Sequence, residues 1–168
     1  RPRTPEYPDY RGYAGQIAAG TVWPGDEIVV LPQGIRSRVE RIDTADGPLA
    51  EAGAGTSVTL LLADDIDISR GDLIAAADAP PRVTDEITGT LCWLSSKPLK
   101  PGARVLVKHG ARTVQALVDE LHARFDEQKL SSVDSPASLE LNDIGLVTLR
   151  LAEELGVDEY GVSPRTGA

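Results

Sequence analysis

Apolar residues along this chain come in short runs, each cut off by glycine or proline. Glu27-Ile28-Val29-Val30-Leu31, Ser57-Val58-Thr59-Leu60-Leu61-Leu62 and Arg104-Val105-Leu106-Val107-Lys108 are rich in β-branched and aliphatic residues. The turn signals Pro24-Gly25-Asp26, Pro32-Gln33-Gly34, Asp46-Gly47-Pro48, Arg70-Gly71-Asp72, Pro101-Gly102 and His109-Gly110 fall between such runs. Ile35–Ile42 is only partly apolar on one face, with arginines on the other. Short strands with a turn every eight to twelve residues or so predict an all-β sandwich or barrel.

Two stretches read differently by period. In Thr113–Asp126, Val114, Leu117, Val118, Leu121 and Phe125 recur at helical spacing. The same stretch also alternates as Val114, Ala116, Val118 and then Leu121, Ala123, Phe125, with a one-residue slip that a β-bulge would produce. Periodicity favours the helix. Leu149–Leu155 is a second helical candidate, ending at Gly156. Ala79-Pro80-Pro81-Arg82 marks the domain boundary, since two prolines cannot continue a central strand. The expected organisation is an extended connector over 1–9, a first barrel over 10–80 and a second over 81–168.

Composition changes the picture in three ways. The 168 residues suffice to bury about two-thirds of the unfolded surface without disulfide or metal staples. Only one cysteine is present, Cys92, so no intrachain disulfide forms; within Gly89–Leu94 it is expected to be a buried packing residue. With no methionine at all, position 1 is not an initiator, and the chain is expected to be a piece of a longer protein. Apolar runs are too short to span a bilayer as helices and no signal-peptide pattern opens the chain, so a soluble, cytoplasmic protein with no membrane partner is expected. The net charge of −9 disfavours sequence-independent nucleic-acid binding, which runs on phosphate neutralisation.

The motif census argues against catalysis. No phosphate-binding G-x-x-x-x-G-K-[ST] loop, G-x-G-x-x-G or G-x-S-x-G elbow occurs. The two histidines, His109 and His122, have no second ligand at metal-binding spacing. The acidic run Asp64–Asp72 has Arg70 and Ala76 where a calcium loop from Asp65 needs glycine and glutamate, so it reads as a solvated turn. Expected catalytic, cofactor-binding and metal residues are therefore none. His122 is expected at the surface. Thirteen arginines against four lysines favour bidentate, geometry-sensitive contacts over diffuse solvation. Ordinary charge balancing on an acidic surface is the expected role, and docking onto an acidic partner or a phosphate backbone is the alternative.

Arg11–Ile28, with Gly20 and Pro24-Gly25 at its turns, resembles the second domain of translation-factor-type GTPases such as elongation factor Tu. Ser69-Arg70-Gly71-Asp72-Leu73-Ile74 is similar to the closing strand of the same barrel. Asp65–Asp72, Lys108–Val114, Leu139–Gly145, Asp158-Glu159-Tyr160 and Arg165-Thr166-Gly167 resemble the GTPase subunit of bacterial sulfate adenylyltransferase.

That resemblance implies two consecutive small β-barrels, as in translation elongation factor domains 2 and 3, and turns Thr113–Asp126 from helix to bulged strand. It implies a parent in which a preceding domain holds GTP and magnesium, and a separate catalytic subunit that makes adenylyl sulfate from ATP and sulfate. The implied partners of this chain are its own GTPase domain in cis and that catalytic subunit. Barrels that carry aminoacyl-tRNA in a translation-type GTPase are the alternative. Interface candidates follow from position. Lys108, His109 and Arg112 flank a glycine turn and should project from a barrel rim. Arg11 opens the first strand next to the connector, and Arg165 stands where the family's closing strand begins. Val29, Leu60, Leu62, Val105, Val107 and Val147 are expected inside.

Overall fold

In the computed structural model, described over residues 10–126, 131–163 and 166–167, every regular element is a strand and no helix occurs among the described residues. The chain forms two compact units, Arg1–Arg82 with Gly156–Ala168 and Val83–Leu155.

The first unit contains β1 (Tyr13–Gln16), β2 (Thr21–Val22), β3 (Glu27–Leu31), β4 (Ile35–Thr44), β5 (Gly47–Leu49), β6 (Ala52–Gly53), β7 (Ser57–Leu62) and β8 (Leu73–Ala76). Its main sheet runs β1-β7-β4-β3-β8, with β5 on β4, and β2 pairs β6 in a short ribbon. Gly34 closes the β3–β4 hairpin at φ 75, a conformation that costs glycine little. The core gathers Ile28, Val30, Val39, Ile42, Ala52, Val58, Leu60, Leu62 and Ile66. Val39 and Ile42 lie three apart, so strict alternation would expose one of them. A register shift between Val39 and Arg41 against β7 switches the phase and lets both point inward.

The second unit is built on β9 (Arg82–Cys92), β10 (Arg104–His109), β11 (Arg112–Asp126), β12 (Ser131–Asp134) and β13 (Ile144–Val157), of which only Arg82 of β9 and the last two residues of β13 fall in the first unit. The sheet order is β10-β11-β13-β9, with β12 on β11. Thr113–Asp126 is strand, and its helical spacing has a β explanation. Val114, Ala116 and Val118 point inward, shifts fall between Val118 and Glu120 and between Leu121 and Ala123, and Leu121 then returns to the core. Leu117 and Phe125, apolar positions of the supposed helix face, stay exposed. The helical reading of Leu149–Leu155 fails too. Leu149 and Leu151 sit opposite Val118 and Ala116 in the β11–β13 ladder, and a strand that buries one face this way carries alternate apolar residues.

The second core comprises Leu99, Val118, Leu121, Leu139 and Val147, with Val105 packed against it. Val29, Leu60, Leu62 and Val147 are interior as expected, whereas Val105 and Val107 are only half-buried, as befits β10 at the sheet edge. Cys92 is exposed rather than buried, because it ends β9 at the other edge.

Candidate functional site

Three of the expected interface residues meet at one hairpin. His109 sits opposite Arg112 and Lys108 opposite Thr113, so Gly110 and Ala111 make a two-residue loop between β10 and β11. Gly110, at φ 56, fills the first central position, where such a loop needs positive φ. Lys108 is exposed, while His109 and Arg112 are half-buried. The Arg112 Nη2 donates to Glu153 Oε2 of β13 at 2.9 Å. That pair lies at the surface, so Arg112→Ala should lower stability by about 1 kcal/mol or less, read as the shift in urea midpoint.

Arg11 lies in the first unit and is committed there. It forms an ion pair with Asp65, stands 3.9 Å from Asp67, and donates to the Ile66 carbonyl at 2.8 Å. Tyr13 also donates its hydroxyl to the Ile66 carbonyl. The acidic turn Asp64–Asp72 is therefore tied to β1, and Ile66 is pulled into the core. Arg165 lies outside the described residues.

A second tie fixes the start of the described chain. Tyr10 donates its hydroxyl to Asp43 Oδ2 at 2.9 Å, while Arg41 reaches both Asp43 oxygens at 2.8 Å. A Cβ on Gly12 would stand 2.3 Å from Thr59 Cγ2, so only glycine lets this segment lie flat on β7. The Arg41 hydrogen bonds hold the Asp43 carboxyl below its ordinary value; burial works the other way, and the Tyr10 bond adds to the lowering. A carboxyl depressed in the folded state stabilises above its unfolded pKa and loses that contribution as pH falls through the folded value. Stability should thus drop below about pH 4, and Arg41→Ala should flatten that drop. Urea titrations at stepped pH check this.

Sequence reasoning missed a polar network. His122, expected at the surface, is half-buried and shares a 2.7 Å hydrogen bond through Nε2 with Thr148 Oγ1, which meets Thr88 Oγ1 at 2.7 Å. Beside it Arg150 Nη2 stands 3.0 Å from Asp119 and 3.5 Å from Glu86. It also missed two exposed leucines, Leu106 and Leu117, on the hairpin face that carries Lys108. The signal was present: Leu106 occupies the polar phase of the alternating run Arg104–Lys108. Among the described residues no three His, Cys, Asp or Glu side chains stand together to hold a metal ion.

Residues 86–168 match the GTP-eEF1A C-terminal domain-like family. In solved structures the chain overlays on Sup35 complexed with GDP, with a TM-score of 0.82 at 16% identity over 93% of this chain and 41% of that one. It also overlays on the elongation factor SelB of Methanococcus maripaludis, at 0.66 and 23% identity over 84% of this chain and 32% of that one. The fold is therefore that of the paired β-barrels of translation-factor-type GTPases. Sequence narrows the class. The chain is 44% identical over its whole length to the bifunctional enzyme CysN/CysC of Mycobacterium tuberculosis, and 46% identical over 95% of its length to sulfate adenylyltransferase subunit 1 of Methylorubrum populi. It is thus similar to sulfate adenylyltransferase subunit 1 over nearly its whole length, and spans 28% and 34% of the length of those two relatives.

Proposed function

We propose that this chain is the non-catalytic two-barrel portion of the GTP-hydrolysing subunit of a cytoplasmic sulfate adenylyltransferase. The parent activates sulfate to adenylyl sulfate at the expense of ATP, with GTP hydrolysis driving the unfavourable reaction. The barrels couple the GTPase domain to the catalytic subunit. GTP and magnesium belong to the GTPase domain; the chain's own sequence has no phosphate-binding loop to cradle them. The observation that carries the reading is the 42–46% identity to subunit 1 proteins over 95% of the chain. Aminoacyl-tRNA carriage rests on fold likeness alone and runs against the net charge of −9.

The purified chain is expected to turn over neither GTP nor ATP with sulfate, while the full parent with its catalytic subunit forms adenylyl sulfate in a GTP-dependent way. Turnover by the isolated chain, or no GTP dependence in the full complex, would refute the proposal. Salt-sensitive binding of aminoacyl-tRNA by the chain would favour the alternative instead.

A further inference from the structure

Arg104, Leu106 and Lys108 project from one face of β10, since Val105 and Val107 take the inward phase. Across the ladder, Gln115 stands opposite Leu106 and Leu117 opposite Arg104, on the same outer face. Leu106 is 71% exposed and Leu117 39%. Thr113 and Gln115 are the residue types that this water-facing phase calls for; two leucines are not. Arg11, Arg41, Arg112 and Arg150 are each paired with carboxylates. The side chains of Arg104 and Lys108 have no ion pair or hydrogen bond among the described residues. Arg36, Arg70, Arg82, Lys97 and Lys100 likewise lack an ion pair among the described residues, and what sets Arg104 and Lys108 apart is their place on either side of an apolar centre.

We infer that this outer face of the β10–β11 hairpin, Leu106 and Leu117 between Arg104 and Lys108, docks a protein surface of complementary character: an apolar patch bordered by carboxylates. The inference rests on the docking reading above, and places that surface on the catalytic subunit of the proposed complex. Exposed apolar residues next to unpaired cations have the make-up of a protein interface, an apolar anchor with a charged rim. A phosphate backbone would engage Arg104 and Lys108 but gain nothing from the leucines. A second copy would bring another net-negative chain against this one.

The test measures binding of the full parent chain to its catalytic subunit by isothermal titration calorimetry. Leu106→Asp should raise Kd at least about tenfold, as loss of an interface anchor does. Lys108→Glu should weaken binding and reduce its salt dependence. Ile35→Asp, at an exposed apolar position of the first unit, should leave Kd unchanged, and all three variants should melt like wild type. Tight wild-type binding that Leu106→Asp does not weaken overturns this inference and leaves the functional proposal standing. If wild type does not bind at all, both fall. Self-association or tRNA binding that Leu106→Asp abolishes, with subunit affinity intact, assigns the face to another occupant and likewise overturns the inference.

Discussion

Leu139→Ala is expected to cost about 2–5 kcal/mol, with the result near the upper end. The side chain is fully buried among Leu99, Val118, Leu121 and Val147. The cost of a truncation depends on how far the surroundings can close on the cavity. Here they are held. Leu139 and Leu99 exchange both backbone hydrogen bonds at 2.9 Å, which pins the loop that carries the leucine. On another side is Gly145, where a Cβ would lie 2.7 Å and 2.9 Å from the two Leu139 Cδ atoms and 3.0 Å from the Ala123 carbonyl oxygen. That contact makes the prediction sharper. Gly145→Ala alone should destabilise by overpacking, but should cost less in the Leu139→Ala background, where the methyl enters vacated space. Four urea unfolding curves complete the cycle. Additive costs would show that the glycine and the leucine do not share this space.

Ile42→Ala should cost about 2–5 kcal/mol in the first unit. Ile42 is fully buried and lies on a strand paired on both sides, opposite Leu60 of β7 and Leu49 of β5. Ile42→Val, which keeps the β-branch, should cost only about 0.5–1.5 kcal/mol. Its neighbour gives the contrast. Arg41→Ala removes the partner of Asp43 but creates no cavity, so its effect should be smaller at neutral pH and should shrink in acid. If the arginine change proved as damaging as Ile42→Ala, the Tyr10–Asp43–Arg41 tie rather than the apolar core would dominate this end of the barrel.

Much of this was legible in the residues. Runs such as Ile28–Leu31 and Val58–Leu62, bounded by glycine and proline turns, read as short strands, because their length and β-branching favour strand over helix. The hairpin turn at Gly110 and the grouping of Lys108, His109 and Arg112 were equally readable, because a two-residue turn is a local matter. The resemblance to subunit 1 was read from Lys108–Val114 and Leu139–Gly145, and identities of 44% and 46% over nearly the whole chain bear out the resemblance. Thr113–Asp126 was misread by period for a physical reason. A bulge moves one residue out of register, and alternation with a slip produces the i, i+4 and i, i+7 spacings of a helix.

By itself, then, the sequence determined the all-β class, the turn positions, the resemblance to subunit 1 proteins and the lack of a phosphate-binding loop within this chain. Each depends on neighbours along the chain, where propensity, the missing Cβ of glycine and motif spacing act directly. Only the tertiary structure decided the rest. Arg11, expected at an interface, is held by Asp65 and the Ile66 carbonyl more than fifty residues away. His122 finds Thr148, Cys92 lies exposed at a sheet edge, and Leu106 faces water. Which charges pair and which apolar residues stay uncovered depends on strand order and register, and these are set by the pairing of segments far apart in the chain.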